Sequence, residues 1–493
     1  MSHSLRRIAG TIAGKSALLM SRRLGRGGTQ LPGVVARRVD PAILRDLVER
    51  LPQGVVLVTG TNGKTTTSRM LASIIEACGR RVLHNRAGAN LITGLTATAV
   101  AAADPLGRVR ADIGLFETDE AHLPAAIAET QPRVVLILNL FRDQLDRYGE
   151  VDTIAKRWRA ALATLPESST VVLNADDPAV AYLGEGLACR VIYYGLQDTR
   201  HGVGDVQHMA DSQFCRRCGA AYSYAPAFYG HVGHYHCPNC GLARPTPDVR
   251  LERLTLKGTT GATLAIADAN GAFDVQLPVP GLYNALNATA AAAAALALDI
   301  PPVTIRAALE RFAAAFGRIE RIPIAGRDVL MALIKNPVGA SETVRMLVGD
   351  QGSGVRGQGS GVRGRGSEEP KEANQPPDAG LQALYLLIVI NDKIADGTDV
   401  SWLWDANFEQ LAGRVAQVVV SGTRAEDMAV RLKYAGVEPE RITIEPALDA
   451  ALDRVLAVAP VDQPLYLLPT YTAMLELREE LVRRGLVRPF WED

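Results

Sequence analysis

The sequence predicts an α/β protein with mainly parallel sheets, organised as more than one domain, and three observations carry that expectation. Short apolar runs rich in β-branched residues, at 54–59 (GVVLVT), 112–116, 134–138 and 171–173, alternate with segments of helical period. A glycine-rich turn joins the first run to SRMLASIIEACG, whose apolar residues recur at helical spacing up to Gly79, so strand, glycine turn and helix open an α/β unit. A second series of runs, at 381–390, 415–420 and 465–468, follows Ile319.

Composition narrows the class. A length of 493 residues suits about three domains. With 47% hydrophobic and 22% charged residues, disorder throughout is excluded. The balance of 53 basic against 53 acidic residues disfavours a globally basic nucleic-acid binder. Neither the Ala-rich stretch 288–300 nor 381–390 reaches the ~20 strongly apolar residues of a membrane span. The opening MSHSLRRIAG lacks the apolar core and cleavage site of a secretory signal. Six cysteines in so long a chain do not make a disulfide scaffold. A cytoplasmic protein is expected.

Along the chain, the segment 1–50 is read as an N-terminal basic helical segment. Its first 40 residues hold eight basic residues and one acidic residue, Asp40, and Leu5, Ile8, Ile12 and Leu19 recur at helical spacing. A helix packed on the next domain, a helix lying on a membrane surface and an organelle-targeting peptide all fit that pattern. Residues 51–320 form a central domain, interrupted at about 205–250 by a segment rich in Cys, His and Tyr. Residues 321–493 form a C-terminal α/β domain. Inside it, GSGVRGQ is followed at once by GSGVRGR and a charged, Pro-containing stretch, so 351–380 reads as a disordered insertion.

Two motifs carry chemistry. In GTNGKTTT, Gly60 to Thr67, a glycine turn after a buried strand lets backbone N–H groups of Gly60, Thr61, Asn62, Gly63 and Thr66 face a phosphate at the positive end of the next helix. Lys64 reaches the β- and γ-phosphates and the Thr65 hydroxyl ligates Mg²⁺. The general pattern has a glycine where this chain has Val58, yet strand and helix flank the loop correctly. The second motif is CRRCG with CPNCG. Cys215, Cys218, Cys237 and Cys240 have the spacing of a closed, structural four-thiolate zinc site. His231, His234 and His236 lie between the pairs as substitute ligands or, more simply, loop residues. Cys78 and Cys189 read as core cysteines.

The string GTNGKTTT resembles the ATP loop of the Mur ligase superfamily, which joins an amine to a carboxylate through an acyl phosphate. FETDE, NLFRDQLDRYG, NADDP, GLYNALNATAA and FGRIE match that family's segments in order over about 55–320. The resemblance implies a Mur-ligase-like central ATPase domain using ATP and Mg²⁺. It makes Glu117 a magnesium carboxylate, sets Asn284 by the adenine with Asn287 on the same helix face, and gives Arg318 a phosphate contact. Asn139, Asp143 and Asp146 match; Gln144 stands where many relatives have a magnesium-binding His, and Lys156 falls near a lysine that relatives carbamylate.

The inserted ribbon, LGRGGTQLPG, LIKNPVGASE (Lys335, Asn336, Pro337) and NDKIADGTDVSWLWD together resemble the MurT family, the synthetase subunits of lipid II isoglutaminyl synthase. This implies amidation of the D-glutamate α-carboxylate in lipid II to D-isoglutamine, with ammonia from a separate GatD-type glutaminase subunit, at the inner face of the plasma membrane. It further implies that an aspartate of 396–405 is needed for activity, Asp399 before Asp396. Asp405 reads as a helix cap, and Trp402 and Trp404 as interface or core residues. A Mur or folylpolyglutamate-like ligase that adds an amino acid is the alternative enzyme, and a non-catalytic scaffold binding ATP and zinc the alternative of another class. Nucleic-acid binding through the ribbon lacks an extended basic stripe.

Overall fold

The computed structural model describes residues 3–23, 30–85, 89–142, 150–203, 211–313, 319–324, 326–349 and 383–487. Asp143, Gln144, Asp146, Arg318, the first residues of the 205–250 segment and the whole of 351–380 lie outside the described residues. The chain divides into two compact units, Met1–Leu256 with Thr260–Ala315, and Phe316–Asp493 with Lys257–Thr259.

In the first unit the strands are β1 (Val55–Thr59), β2 (Val82–His84), β3 (Ile113–Glu117), β4 (Val134–Ile137), β5 (Thr170–Asn174), β6 (Arg190–Leu196), β7 (Ser223–Tyr229), β8 (Val232–His236), β9 (Val249–Leu256), β10 (Ala262–Asp268) and β11 (Gly271–Leu277). Nine of them form one sheet in the order β11-β10-β9-β6-β5-β4-β1-β3-β2, and β7 and β8 pair separately. Pairing is parallel from β2 across to β9. It is antiparallel from β9 to β11.

Every residue of β1, β3, β4 and β5 is buried. Helices cover both faces, which is why these strands read as unbroken apolar runs rather than alternating ones. Val55, Leu57, Val135, Ile137, Val171 and Leu173 share a core with side chains of the helices Ile43–Val48, Ile92–Ala102, Leu123–Thr130 and Glu150–Leu162, including the fully buried Trp158. The Ala-rich stretch belongs to the helix Leu282–Ala297, which packs on the helix Lys64–Ala77 and on β4, β5, β6 and β9. Among the described residues no helix is long and apolar enough to cross a membrane.

The second unit holds β12 (Ile319–Ile324), β13 (Arg327–Ala332), β14 (Leu384–Val389), β15 (Val415–Ser421), β16 (Ile442–Ile444) and β17 (Leu465–Pro469), ordered β12-β13-β17-β14-β15-β16. Only the β12–β13 pair is antiparallel. The motif Asn336-Pro337 starts the helix Pro337–Gly349: the Asn336 Oδ1 accepts the Gly339 N–H at 2.9 Å and Pro337 takes the first helical position.

Candidate functional site: a phosphate loop braced by a four-cysteine ribbon

β1 ends between the carboxyl ends of β3 and β4, the crevice where open α/β sheets collect ligands. The chain turns through Gly60 to Gly63 and re-enters as the helix Lys64–Ala77. Gly63 has φ +84°, and a Cβ on it would stand 2.3 Å from Asn287 Oδ1. Gly60 has φ +140°, with Leu138 Cβ 2.9 Å from where its Cβ would be. The N-cap residue Gly63 offers no side chain to cap the helix, and the Thr67 N–H is bonded to the Gly63 carbonyl at 2.9 Å. The earlier first-turn N–H groups therefore have no acceptor inside the helix and form, with the helix dipole, a cradle for phosphate. Gly63→Ala combines a disfavoured φ with a collision. We expect it to weaken ATP binding by about tenfold or more, measured by calorimetry.

Thr61 and Asn62 shape the loop instead of extending that cradle. The Thr61 N–H is donated to the Asn139 carbonyl at 3.1 Å and the Asn62 N–H to Asn139 Oδ1 at 2.8 Å. Asn139 Nδ2 returns a bond to the Asn62 carbonyl at 3.0 Å. The Thr61 hydroxyl exchanges bonds with the Phe141 backbone at 3.0 Å in each direction. Lys64 curls over the turn: its Nζ donates to the Gly60 carbonyl at 2.6 Å and to Glu120 Oε2 at 2.9 Å. Glu120 was not anticipated from the sequence, although it closes the same FETDE motif.

Glu117, the last residue of β3, is buried. Asn85 pins its backbone from both sides, at 2.9 and 2.8 Å. Among the described residues its carboxylate has no hydrogen-bond partner, which suits a metal ligand. Asn284 turns its amide inward, donating to the Pro280 carbonyl at 2.7 Å and accepting from Asn287 at 3.3 Å. It is Asn287 that abuts the loop. Lys156 is exposed, two residues and so about half a turn round the helix from buried Trp158, whose Nε1 holds the Glu120 carbonyl at 2.8 Å.

The Sγ atoms of Cys215, Cys218, Cys237 and Cys240 lie within 4.8 Å of one another. Cys215 and Cys240, and Cys218 and Cys237, are 3.5 Å apart, too far for a disulfide. Four thiolates ~2.3 Å from one tetrahedral zinc stand ~3.8 Å from each other, so the donor set fits that ion. Each pair sits in a tight turn, closed by Gly219 N–H to the Cys215 carbonyl and Gly241 N–H to the Cys237 carbonyl at 2.8 and 3.0 Å.

Two of the three histidines between the pairs have other work, and His236 is exposed at the end of β8. His231, at the tip of the β7–β8 hairpin, is fully buried. Its Nε2 donates to Asp177 Oδ2 at 3.2 Å and its ring packs on Phe141 at 4.5 Å between centroids. The same Asp177 Oδ2 accepts the Leu140 N–H at 2.9 Å. His234 Nε2 donates to the Leu196 carbonyl at 2.7 Å, and burial pushes its imidazole pKa down, favouring the neutral form. Arg244 clamps buried Asp176 at 2.6 Å; burial raises that carboxyl's pKa and Arg244 opposes the rise. NADDP is thus the seat of the hairpin, and the hairpin tip reaches the segment that holds Thr61 and Asn62.

In the second unit, the segment after β14 is tied down. Asp396 Oδ1 accepts the Thr472 N–H at 2.7 Å and its other oxygen takes the Thr472 hydroxyl, so Asp396 caps the helix Tyr471–Arg483. Asp399 Oδ1 accepts the Ser401 N–H at 2.8 Å and is half-buried. Buried Arg431 donates to the Leu403 and Ala406 carbonyls at 2.9 and 2.7 Å, fixing the short turn. The two tryptophans separate: Trp402 is buried, while Trp404 is exposed beside exposed Tyr434, ring centroids 5.8 Å apart.

The Mur ligase middle domain family matches residues 58–225, and the family described as MurT ligase C-terminal matches residues 375–474. The chain is 33% identical to the lipid II isoglutaminyl synthase (glutamine-hydrolyzing) subunit MurT of Streptococcus pneumoniae, over 98% of this chain and 99% of that one. The chain belongs to the MurT family. The subunit MurT of Staphylococcus aureus (strain COL) is similar at 31% identity, over 95% of this chain and 96% of that one. Membership of the MurT family, with the Mur ligase middle domain, places the chain among ATP-dependent ligases. Among solved structures, a pseudomurein peptide ligase type C from Methanothermus fervidus matches at TM-score 0.63 and 20% identity, covering 89% of this chain and 80% of that one. MurF from Acinetobacter baumannii matches at TM-score 0.61 and 19% identity, covering 91% and 81%. These two show a shared fold.

Proposed function

We propose that this chain is the synthetase subunit of a lipid II isoglutaminyl synthase, amidating the D-glutamate α-carboxylate of the lipid II stem peptide. The full-length similarity to the MurT relatives carries the reading, and the Lys64 loop supports it. A carboxylate resists ammonia because it is anionic and lacks a leaving group. Attack of its oxygen on the γ-phosphorus of ATP releases ADP and leaves an acyl phosphate. Ammonia then attacks the acyl carbon, phosphate departs, and the nitrogen loses a proton as the amide forms.

Lys64 and the first-turn N–H groups hold the phosphates and balance the charge that develops during transfer. Thr65 and Glu117 are the residues assigned to Mg²⁺, which supplies further charge neutralisation when bound. Arg318 is assigned a phosphate contact and Asn284 the adenine side by family resemblance. Zinc in the four-cysteine site is structural. For the second unit we assign Asp399 the role of the required aspartate. Its support is the strand-end position after β14 and the commitment of Asp396 to Thr472. Asp399→Asn is expected to lower amide formation by about a hundredfold or more with ATP affinity unchanged, read by mass spectrometry and calorimetry. Equal turnover would return the role to another acid.

The ammonia source is a GatD-type glutaminase subunit, and exposed Trp404 with Tyr434 supports a partner contact on this unit. A lipid-linked substrate puts the enzyme at the inner face of the plasma membrane. The test is an amidation assay with ATP, Mg²⁺, glutamine, lipid II and the co-expressed glutaminase. One amide per ADP is expected. Turnover that needs a free amino acid instead of glutamine or ammonia would establish the amino-acid-adding ligase.

A further inference from the structure

The N-terminal helix His3–Arg23 is packed the opposite way round from its apolar pattern. Its inward face is small or polar: Arg7, Gly10, Thr11, Gly14, Ala17 and Ser21 are buried. The approach is close. A Cβ on Gly10 would meet Ile43 Cδ1 at 2.9 Å, and one on Gly14 would meet Val100 Cγ1 at 2.8 Å and Ala36 Cβ at 3.0 Å. No large side chain fits there, so the helix cannot roll its aliphatic residues inward.

Ile8 and Leu18 are half-buried, and the other large aliphatic residues stand outside. Leu5, Ile12, Leu19 and Met20 are 55%, 50%, 62% and 65% exposed. Leu5, Ile12 and Leu19 are seven residues apart and therefore line one stripe, two turns between neighbours. Arg22 and Arg23 are exposed at its C-terminal end, Arg6 is exposed about a quarter-turn round from Leu5, Lys15 is half-exposed with its Nζ donating to the Ala101 carbonyl at 3.1 Å, and the helix contains no acidic residue. A run of large aliphatic side chains held in water, flanked by exposed arginines and serines and by no acidic residue, marks a contact surface.

We propose that this outward face docks on an anionic lipid bilayer, the helix lying in the plane of the surface. The aliphatic stripe enters the boundary between headgroups and acyl chains, and the flanking arginines meet the phosphate layer. Charge decides between occupants. A purely apolar partner leaves the arginines unmatched, whereas an anionic headgroup layer matches both the stripe and its borders. The inference rests on the lipid-linked substrate proposed above and names the surface that brings the enzyme to it.

The test is co-sedimentation of the full chain, purified with its glutaminase subunit, with vesicles of phosphatidylglycerol and phosphatidylcholine and with vesicles of phosphatidylcholine alone. Two variants are compared: Leu5→Ser/Ile12→Ser/Leu19→Ser, and Arg22→Gln/Arg23→Gln. The wild type is expected to bind the anionic vesicles more tightly. The serine variant should lose about tenfold or more in partitioning. The arginine variant should lose most of its preference for anionic vesicles and its sensitivity to salt. All three should amidate a water-soluble, short-chain lipid II analogue equally, since every change faces outward. Failure of the wild type to bind, or serine-variant binding equal to wild type, overturns the proposal. So does loss of the glutaminase subunit from the serine variant with vesicle binding retained, which identifies a protein interface. A wild type that binds vesicles but does not amidate the soluble analogue refutes the amidation reading and leaves the docking surface standing.

Discussion

Lys64→Ala is expected to lower turnover to about one thousandth of wild type or less, because the cation that would follow the γ-phosphoryl through transfer is removed. Its effect on stability is much smaller. The change deletes an ion pair at 2.9 Å to Glu120 and a bond at 2.6 Å to the Gly60 carbonyl, with side chains still 10% and 15% exposed. A lost charged hydrogen bond at such a site costs about 1–3 kcal/mol, reduced where water reaches the remaining partner. The rest of a large unit's stability remains. Thermal melts with and without nucleotide separate the two effects: ATP should raise the wild-type melting temperature and leave that of the variant unmoved. Glu120→Gln removes the same ion pair while keeping the cation, so it should retain the nucleotide-dependent shift. Lys64→Ala turnover within tenfold of wild type would falsify the assignment of this loop as the phosphate site.

Loss of the zinc proposed for the four-cysteine site should have the second largest effect, and its reach is set by three contacts. Stripping zinc with a chelator, or replacing buried Cys237 by serine, returns protons to the remaining sulfurs and leaves the two tight turns without a common anchor. The hairpin between them carries His231, and His231 supports Asp177 and Phe141. Those in turn sit beside Asn139, which holds Thr61 and Asn62. We therefore expect metal loss to weaken ATP binding by about tenfold, although no cysteine lies in the loop. His231→Ala probes the link with the metal still bound. It should keep a full complement of zinc, measured by elemental analysis, and lose part of the ATP affinity. Cys78→Ser serves as the control. An apo protein with wild-type ATP affinity would reduce the ribbon to a separate appendage.

Much of this was legible in the chain because it is local. β1, the glycine turn and the helix after it are contiguous, and burial on both faces writes β1, β3, β4 and β5 as unbroken apolar runs. The cysteine spacing likewise needs only a few neighbouring residues. What stayed hidden depends on contacts between distant residues. Asn139 and Asn62 are 77 positions apart, and His231 and Asp177 are 54 apart. No periodicity announces either pair. β9 to β11 were missed because alternate residues of β9 and β11 face water, blurring the apolar signal. The N-terminal helix shows a third limit. Period reveals that Leu5, Ile12 and Leu19 share a stripe, but which side meets protein is decided by how closely Gly10 and Gly14 let neighbours approach.

The helix Leu282–Ala297 also constrains how this chain can change over time. All eight residues from Ala288 to Ala295 are 0% exposed, so the helix is enclosed on every side through that stretch. Enlarging one alanine forces a neighbour off its rotamer, at about 1–3 kcal/mol, while shrinking it to glycine costs about 1 kcal/mol in helix propensity. Substitution is penalised in both directions. The segment should therefore drift more slowly than its plain composition suggests, and a random library across it should return little beyond alanine and serine.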